Sequence, residues 1–146
     1  AKTLFPYTTL FRSAIRNLHS TVWNTSKMLV FGGLNTLYLN SGGQYDPTGN
    51  SWTTMSTNGA PALRNEHTAI WSTDRMIVFG GWDGTNRLNS GGSYDPTGNT
   101  WTGVSTTNIP GIREFHTGVW TGAKMIIWGG RSGAASYVSD GGVYQP

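Results

Sequence analysis

The sequence contains no cysteine, few charged residues and no long apolar run. The absence of cysteine excludes a disulfide framework, a thiolate metal site and a cysteine nucleophile. Charged residues make up only 12% of the 146 residues, and no window has the apolar periodicity of an amphipathic helix. The longest apolar runs, MLVF at 28–31 and MIIW at 125–128, are far shorter than the roughly 20 residues of a membrane-spanning helix. We therefore predict no membrane span and few helices.

Glycine and aromatic residues are abundant instead, with 21 Gly, 7 Trp, 6 Tyr and 5 Phe. This composition favours short strands joined by tight turns.

The first residues differ in character from the rest of the chain. Residues 3–13, TLFPYTTLFRS, resemble the translation of a widely used short-read sequencing adapter, so we expect residues 1–13 to be non-native and the native N-terminus to lie elsewhere. The alternative is a genuine apolar strand, LFPYTTLF. Without Lys2 and Arg12 the ten basic residues become eight against seven acidic ones, a net charge of +1. Charge therefore gives no argument for a nucleic-acid partner.

From residue 14 onward the chain repeats itself. NSGGQYDPTGNSWT at 40–53 and NSGGSYDPTGNTWT at 89–102 agree at twelve of fourteen positions, with an offset of 49. Three copies of a longer pattern begin RNLHSTVW, RNEHTAIW and REFHTGVW, at positions 16, 64 and 113. In each copy the Arg precedes a glycine pair by 16 positions. We take the repeats as 16–63, 64–112 and 113–146, the last incomplete.

Only the stretch between the two glycine pairs of each copy varies in length. It covers 34–41, 82–90 and 131–140, which are 8, 9 and 10 residues. Variable length on a constant scaffold is typical of surface loops, often on a binding face.

Each copy predicts four short strands, for which the second copy serves as the example: HTAIW, RMIVFGG, GGSY and TWTGV. The DPTGN linker predicts a tight hairpin, in which Pro fixes φ, Asp accepts backbone hydrogen bonds and Gly supplies a positive φ. Four antiparallel strands per roughly 49 residues are typical of a propeller blade. The predicted fold is all-β, with about three four-stranded antiparallel blades.

The glycine pair, the following Tyr and the Trp after DPTGN resemble the kelch family over residues 14–146. The resemblance implies a kelch-type β-propeller in which the first strand of each blade lines a central channel and the fourth is outermost. It also implies that the Tyr and Trp pack between blades. The longer pattern is similar to bacterial kelch-like proteins, many of them exported, so an extracellular or periplasmic location is expected.

Closed propellers have about four to eight blades, and the third copy ends before an outer strand. The position before Arg16 that matches Trp52 is Leu4, where no TGNTW occurs. We therefore expect a propeller fragment that associates with the remaining blades of a parent chain or with itself through open edges. Two arcs could then form a six-bladed ring.

The residues that recur in each copy are expected to be structural. His19, His67 and His116 suggest a three-histidine metal site, but equivalent residues lie tens of degrees apart around a propeller axis, so we expect them to anchor the first strands. The repeated arginines are expected to make fixed hydrogen bonds. The full set is Arg16, His19, Gly32, Gly33, Tyr45, Trp52, Arg64, His67, Gly80, Gly81, Tyr94, Trp101, Arg113, His116, Gly129, Gly130 and Tyr144.

The residues that differ between copies are the candidates for ligand binding. In kelch domains the variable loops share one rim around the channel, where aromatic and charged side chains could hold a protein, peptide or carbohydrate. Solvated loop decoration is the alternative. The candidates are Tyr38, Glu66, Trp82, Asp83, Arg87, Glu114, Phe115, Arg131 and Tyr137.

Catalytic signatures are incomplete. A copper oxidase of this fold would need a cysteine, and WDGTN lacks the spacing of a calcium loop. SYDPTGNTW has one residue more than the sialidase turn S-x-D-x-G-x-T-W. Our first hypothesis is a non-catalytic binding scaffold without cofactor. The alternative is a sialidase- or epimerase-like enzyme acting on sugars, which would need a carboxylate, a Tyr and arginines together at the channel mouth.

Overall fold

The computed structural model describes residues 14–105, 107 and 109–146, which form eleven strands and no helix. The predicted adapter-like segment, residues 1–13, lies outside this range. Blade A contains β1 (Ser20–Trp23), β2 (Met28–Phe31), β3 (Gly42–Asp46) and β4 (Ser51–Thr54). Blade B contains β5 (Thr68–Trp71), β6 (Met76–Phe79), β7 (Gly91–Asp95) and β8 (Thr100–Gly103). Blade C contains β9 (Thr117–Trp120), β10 (Met125–Trp128) and β11 (Gly141–Tyr144).

Each blade is one antiparallel meander. Blades A and B are four-stranded in the orders β1-β2-β3-β4 and β5-β6-β7-β8, and the described part of blade C has three strands, β9-β10-β11. The all-β prediction and the division into three blades are confirmed. No helix long and apolar enough to cross a membrane occurs in the described ranges.

The blades contact one another through their first strands. β1 lies beside β5, and β5 lies beside β9, so the first strands are innermost and the fourth strands are farthest from the axis. Because consecutive strands of a blade are antiparallel, the loop after each second strand lies at one end of the blades. The turns after the first and third strands lie at the other end.

The DPTGN hairpins differ from the prediction in one detail. The carboxylate of Asp95 accepts hydrogen bonds from the backbone N–H groups of Thr97 and Gly98, at 2.8 and 3.2 Å, as expected of this turn. The positive φ falls on Asn99, at 52°, rather than on Gly98. The prediction that Gly supplies it is wrong, because Asn tolerates the left-handed region and here its Oδ1 also accepts from the Tyr94 hydroxyl at 2.6 Å.

Apolar side chains from adjacent blades form the core. Between blades A and B, the cluster includes Leu29 and Phe31 on one side and Met76, Tyr94 and Trp101 on the other. The ring centroids of Phe31 and Trp101 are 4.7 Å apart, a favourable aromatic contact. An equivalent cluster lies between blades B and C. Since no blade buries its faces alone, each interface stabilises both of its neighbours.

The repeated arginine links separate segments of its own blade by hydrogen bonds. Arg64 is fully buried; its Nη1 donates to the carbonyls of Gly80 and Ser90, both at 2.8 Å, and its Nε donates to the carbonyl of Ala62 at 2.9 Å. These bonds fasten the start of each repeat to both ends of the variable loop. Arg16 and Arg113 make the corresponding bonds in blades A and C.

The repeated histidine joins neighbouring blades. His67 in blade B stands edge-on to Phe31 of blade A, and its Nε2 hydrogen-bonds to the hydroxyl of Ser20 at 2.6 Å. His116 stands edge-on to Phe79 in the same way. A Cβ at Gly32 would lie 2.7 Å from Cε1 of His67, which is why the histidine recurs together with a glycine.

Candidate binding rim

Three residues of each blade form a small ladder beyond the glycine pair. In blade B, Asn65 pairs with Trp82, and Trp82 pairs with Arg87, both antiparallel. Directly paired residues point to the same face of a ladder, so these three side chains lie side by side. The equivalent triplets are Asn17, Leu34 and Tyr38 in blade A, and Glu114, Arg131 and Tyr137 in blade C.

A fourth position in each blade lies on the inner side of this ladder. Leu18, Glu66 and Phe115 have φ values of 52°, 56° and 56°, a left-handed conformation that costs a non-glycine residue about 1 kcal/mol. The N–H of Glu66 donates to the carbonyl of Leu18 at 3.2 Å, and the N–H of Phe115 donates to that of Glu66 at 3.1 Å. These two bonds link the equivalent positions of adjacent blades. We call the four positions of the three blades the rim.

Charged side chains meet on the rim between blades B and C. Oε1 of the buried Glu114 accepts from Nη2 of Arg87 at 2.9 Å and from Nε of Arg131 at 2.7 Å. The Arg131 guanidinium also stacks over the ring of Phe115, 5.2 Å from its centroid. This ion-paired group joins the loop of one blade to two segments of the next.

Glu66 lies next to this group. Partial burial, together with the neighbouring Glu114, raises the pKa of Glu66, while Arg131 and Arg87 oppose the shift. The rim between blades B and C therefore holds two arginines and two carboxyl groups near one another.

Aromatic side chains take the equivalent places between blades A and B. Nε1 of Trp82 donates to the hydroxyl of Tyr38 at 3.2 Å, and the Arg87 guanidinium lies 5.0 Å from the centroid of the Trp82 ring. A Cβ at Gly84 would lie 2.6 Å from the Tyr38 ring, so the blade B loop packs closely on this tyrosine.

The structure brings together eight of the nine candidate rim residues. The exception is Asp83, whose Oδ1 accepts from the backbone N–H groups of Thr85 and Asn86 at 2.8 and 2.6 Å, and which therefore holds its own loop. Tyr137 is the most exposed candidate, at 81%.

Four rim residues were missed: Asn17, Leu18, Leu34 and Asn65. In the alignment of the three copies, Asn17 and Asn65 match Glu114, Leu18 matches Phe115, and Leu34 matches Arg131. Extending each candidate to the equivalent positions of the other copies could therefore have found them.

The repeated histidines do not converge. Each lies in its own blade, and within the described residues no three His, Asp or Glu side chains come close enough to hold a metal ion.

Four-stranded antiparallel blades, side by side around their first strands and with a shared loop rim, define a β-propeller. A sequence profile described as the KLHDC2/KLHL20/DRC7 Kelch-repeats domain matches residues 6–146. The chain therefore belongs to the kelch-repeat family, and the family assignment suggested by the repeats is confirmed. A search of curated proteins gave no significant match. A kelch-repeat domain suggests a protein-interaction scaffold.

Proposed function

We propose that the chain is a non-catalytic interaction scaffold that binds a peptide segment of a partner protein on its rim. The observation that carries this proposal is the division between repeated and variable positions. The repeated Arg, His and glycine pair hold the same backbone in each blade, whereas the rim triplets on that backbone differ in every blade. A constant backbone with differing side chains gives a surface that can distinguish ligands without changing the fold.

The side chains between blades B and C suit an extended peptide. Phe115 and Tyr137 are largely exposed and offer apolar surface, and Arg131 is partly exposed beside them. Aromatic residues and arginine are the residues that contribute most to binding in protein interfaces.

The alternative of an enzyme acting on sugars is less well supported by this geometry. Such an enzyme would need a carboxylate, a Tyr and arginines together, and the rim does bring Arg87 and Arg131 onto Glu114, with Tyr137 paired to Arg131. Both arginines already form ion pairs with Glu114, however, whereas the enzyme would need them to bind its substrate. Glu114 is also buried and already accepts from two arginines, so it is not free to act as a nucleophile or base.

Selection of random peptides displayed on phage tests the proposal. We expect selected peptides to bind at least tenfold more weakly to Tyr137→Ala and to Phe115→Ala, since each removes one exposed side chain, and tenfold corresponds to about 1.4 kcal/mol. The melting temperature of both variants should stay within a few degrees of the wild type. Titration calorimetry gives the affinities and circular dichroism the melting temperatures.

Arg75→Ala is the matched control, because this arginine lies in the β5–β6 turn at the other end of the blades and its ion pairs are partly exposed. It should bind the peptides as the wild type does. If Arg75→Ala weakens binding while the two rim variants do not, the binding site is at the other end. If peptides fail and a glycan array gives binding that depends on Tyr137, the ligand is a carbohydrate.

A further inference from the structure

We propose that Asn58 is a site of spontaneous deamidation, where water converts the side-chain amide into a mixture of aspartate and isoaspartate, and that the isoaspartate form loosens the junction between blades A and B. Asn58 lies in the segment 55–63, which joins β4 of blade A to the start of blade B. None of the residues of this segment belongs to the rim, so the inference is independent of the rim ligand.

The sequence favours this position over every other asparagine. Asparagine is followed by glycine only at Asn58–Gly59. Deamidation begins when the backbone nitrogen of the following residue attacks the side-chain amide, and a glycine there has no Cβ to obstruct the attack and allows the backbone more conformations. The next smallest neighbour is serine, which follows asparagine at 40–41, 50–51 and 89–90.

The structure leaves both reacting groups free. Asn58 and Gly59 are exposed. Within the part of the chain that the structure describes, neither the side-chain amide of Asn58 nor the N–H of Gly59 makes a hydrogen bond. The N–H of Asn58 donates to Oγ of Ser56 at 3.2 Å. The N–H of Ala60 donates to the carbonyl of Thr57 at 3.2 Å. The turn is therefore held on both sides of the two groups that react.

Other exposed turns hold their asparagine amides in place. Oδ1 of Asn24 accepts from the backbone N–H groups of Ser26 and Lys27, at 3.1 and 2.7 Å. Oδ1 of Asn35 accepts from the N–H of Leu37 at 2.8 Å. These bonds must break before such an amide can turn toward its own backbone. Asn58 has no such bond to break.

The reaction consumes only water. The backbone nitrogen of Gly59 loses its proton to hydroxide and bonds to Cγ of Asn58, while the bond from Cγ to Nδ2 breaks and Nδ2 takes up a proton and leaves as ammonia. Water then opens the resulting five-membered succinimide. Cleavage between the nitrogen and Cγ gives aspartate with the normal backbone. Cleavage between the nitrogen and the backbone carbonyl carbon gives isoaspartate, in which the main chain runs through Cβ and Cγ.

The isoaspartate form alters a segment that ties blade A to blade B. The N–H of Ser56 donates to Oδ1 of Asn99 at 2.8 Å, and the carbonyl of Ser56 accepts from Nε1 of Trp101 at 2.9 Å. Gly59 lies against the same tryptophan, since a Cβ there would be 3.3 Å from the Trp101 carbonyl oxygen. An extra main-chain carbon between Asn58 and Gly59 shifts the segment relative to these contacts, so we expect it to weaken the bonds of Ser56 to blade B.

Incubation of the full chain in mildly alkaline buffer, followed by peptide mass mapping, tests the proposal. Alkaline buffer speeds the reaction because the nitrogen of Gly59 must lose its proton. We expect the peptide that contains Asn58 to gain one dalton before any other peptide does. A protein-isoaspartate carboxyl methyltransferase with radiolabelled S-adenosylmethionine should label this peptide. The chain unfolded in urea should react at Asn58 at a similar rate, because the fold does not shield this site.

Asn58→Gln is the matched control, because its longer side chain cannot form the five-membered ring. It should keep the wild-type melting temperature and accept no methyl group at this position. Asn58→Asp carries the added charge on a normal backbone and should melt with the fresh wild type, whereas the isolated isoaspartate fraction should melt a few degrees lower.

The proposal is overturned if another asparagine reacts first, or if Asn58 reacts only in the unfolded chain. It is equally overturned if Asn58→Gln is labelled as strongly as the wild type, or if the isoaspartate fraction melts as Asn58→Asp does.

Discussion

Replacing Arg64 with Met should lower the free energy of unfolding by about 3 kcal/mol, a large part of the 5–15 kcal/mol typical of a domain. Arg64 is buried and its guanidinium holds the carbonyls of Ala62, Gly80 and Ser90. Burial lowers the pKa of Arg64 to about 10, so the group is still charged at neutral pH. Met has a similar length but donates no hydrogen bond, so the carbonyls of Ala62 and Gly80 lose this donor, while that of Ser90 keeps the N–H of Gly80.

Two opposing effects determine the size of this loss. Removing the guanidinium relieves its desolvation, which favours the variant. However, hydrogen bonds from a charged donor contribute about 1.5–3 kcal/mol each, and here several are lost together. Arg64→Lys should recover only part of the loss, because an ammonium cannot reproduce the planar fork that reaches several carbonyls.

Urea denaturation of Arg64→Met beside Arg75→Met checks this prediction. Arg75 is partly exposed, and its ion pairs to Asp74 and Asp95 are 3.5 and 3.9 Å long, so its loss should change the stability by less than about 1 kcal/mol. Equal stability of the two variants would show that the repeated arginine does not hold the blade.

Lowering the pH from 7 to 5 should reduce the free energy of unfolding by about 4 kcal/mol. Burial and the nearby Arg64 lower the pKa of His67 to about 3, and His116 and His19 add to the shift. Burial and Arg113 lower the pKa of His116 to about 4. In the unfolded chain both pKa values are about 6.5.

The direction of this change in stability follows from the number of protons that the unfolded and folded chains bind. Below pH 6.5 His67 and His116 bind protons in the unfolded chain but stay neutral in the folded chain. Acid therefore favours unfolding until the pKa values of the folded chain are reached. At pH 5 each histidine is 1.5 units below its unfolded pKa, which is about 2 kcal/mol each. The raised pKa of Glu66 acts in the opposite direction and reduces the slope somewhat.

The variant carrying His67→Gln and His116→Gln should lose most of this pH dependence, although it is less stable at pH 7. His19→Gln is the comparison variant: partial burial and the nearby Arg16 lower the pKa of His19 as well, but His19 is exposed, so its loss should remove a smaller part of the slope than the double variant does. Denaturation curves at pH 5, 6 and 7 measure the effect. A wild-type stability that is flat over this range would mean that the histidines are not buried between blades.

The fold could be predicted from the sequence because the same pattern of strands and turns occurs in three copies. The glycine pair recurs since its first member faces the histidine of the next blade, as Gly80 faces His116, and its second approaches a backbone carbonyl. The strands follow from the apolar runs between these fixed points. The turn detail was not predictable in the same way, because Gly98 and Asn99 both tolerate a positive φ and only the contacts of Asn99 decide between them.

The candidate rim was only partly predictable. The variable loops could be located, but the contact of Arg87 with Glu114 joins different alignment columns of different blades. An alignment of the copies compares equivalent positions of different blades. It does not show which non-equivalent positions are in contact. Asn65 and Leu34 were missed because neither residue type suggests binding by itself, although both share alignment columns with the candidates Glu114 and Arg131 of blade C.

We expect the ligand to bind at the end of the blades that bears the variable loops. Hydrogen exchange with mass spectrometry, with and without a selected peptide, compares the two ends of the blades. We expect slower amide exchange in residues 34–41, 82–90 and 131–140, and unchanged exchange in the first turns of the blades at 24–27, 72–75 and 121–124. Protection confined to those first turns would contradict the claim.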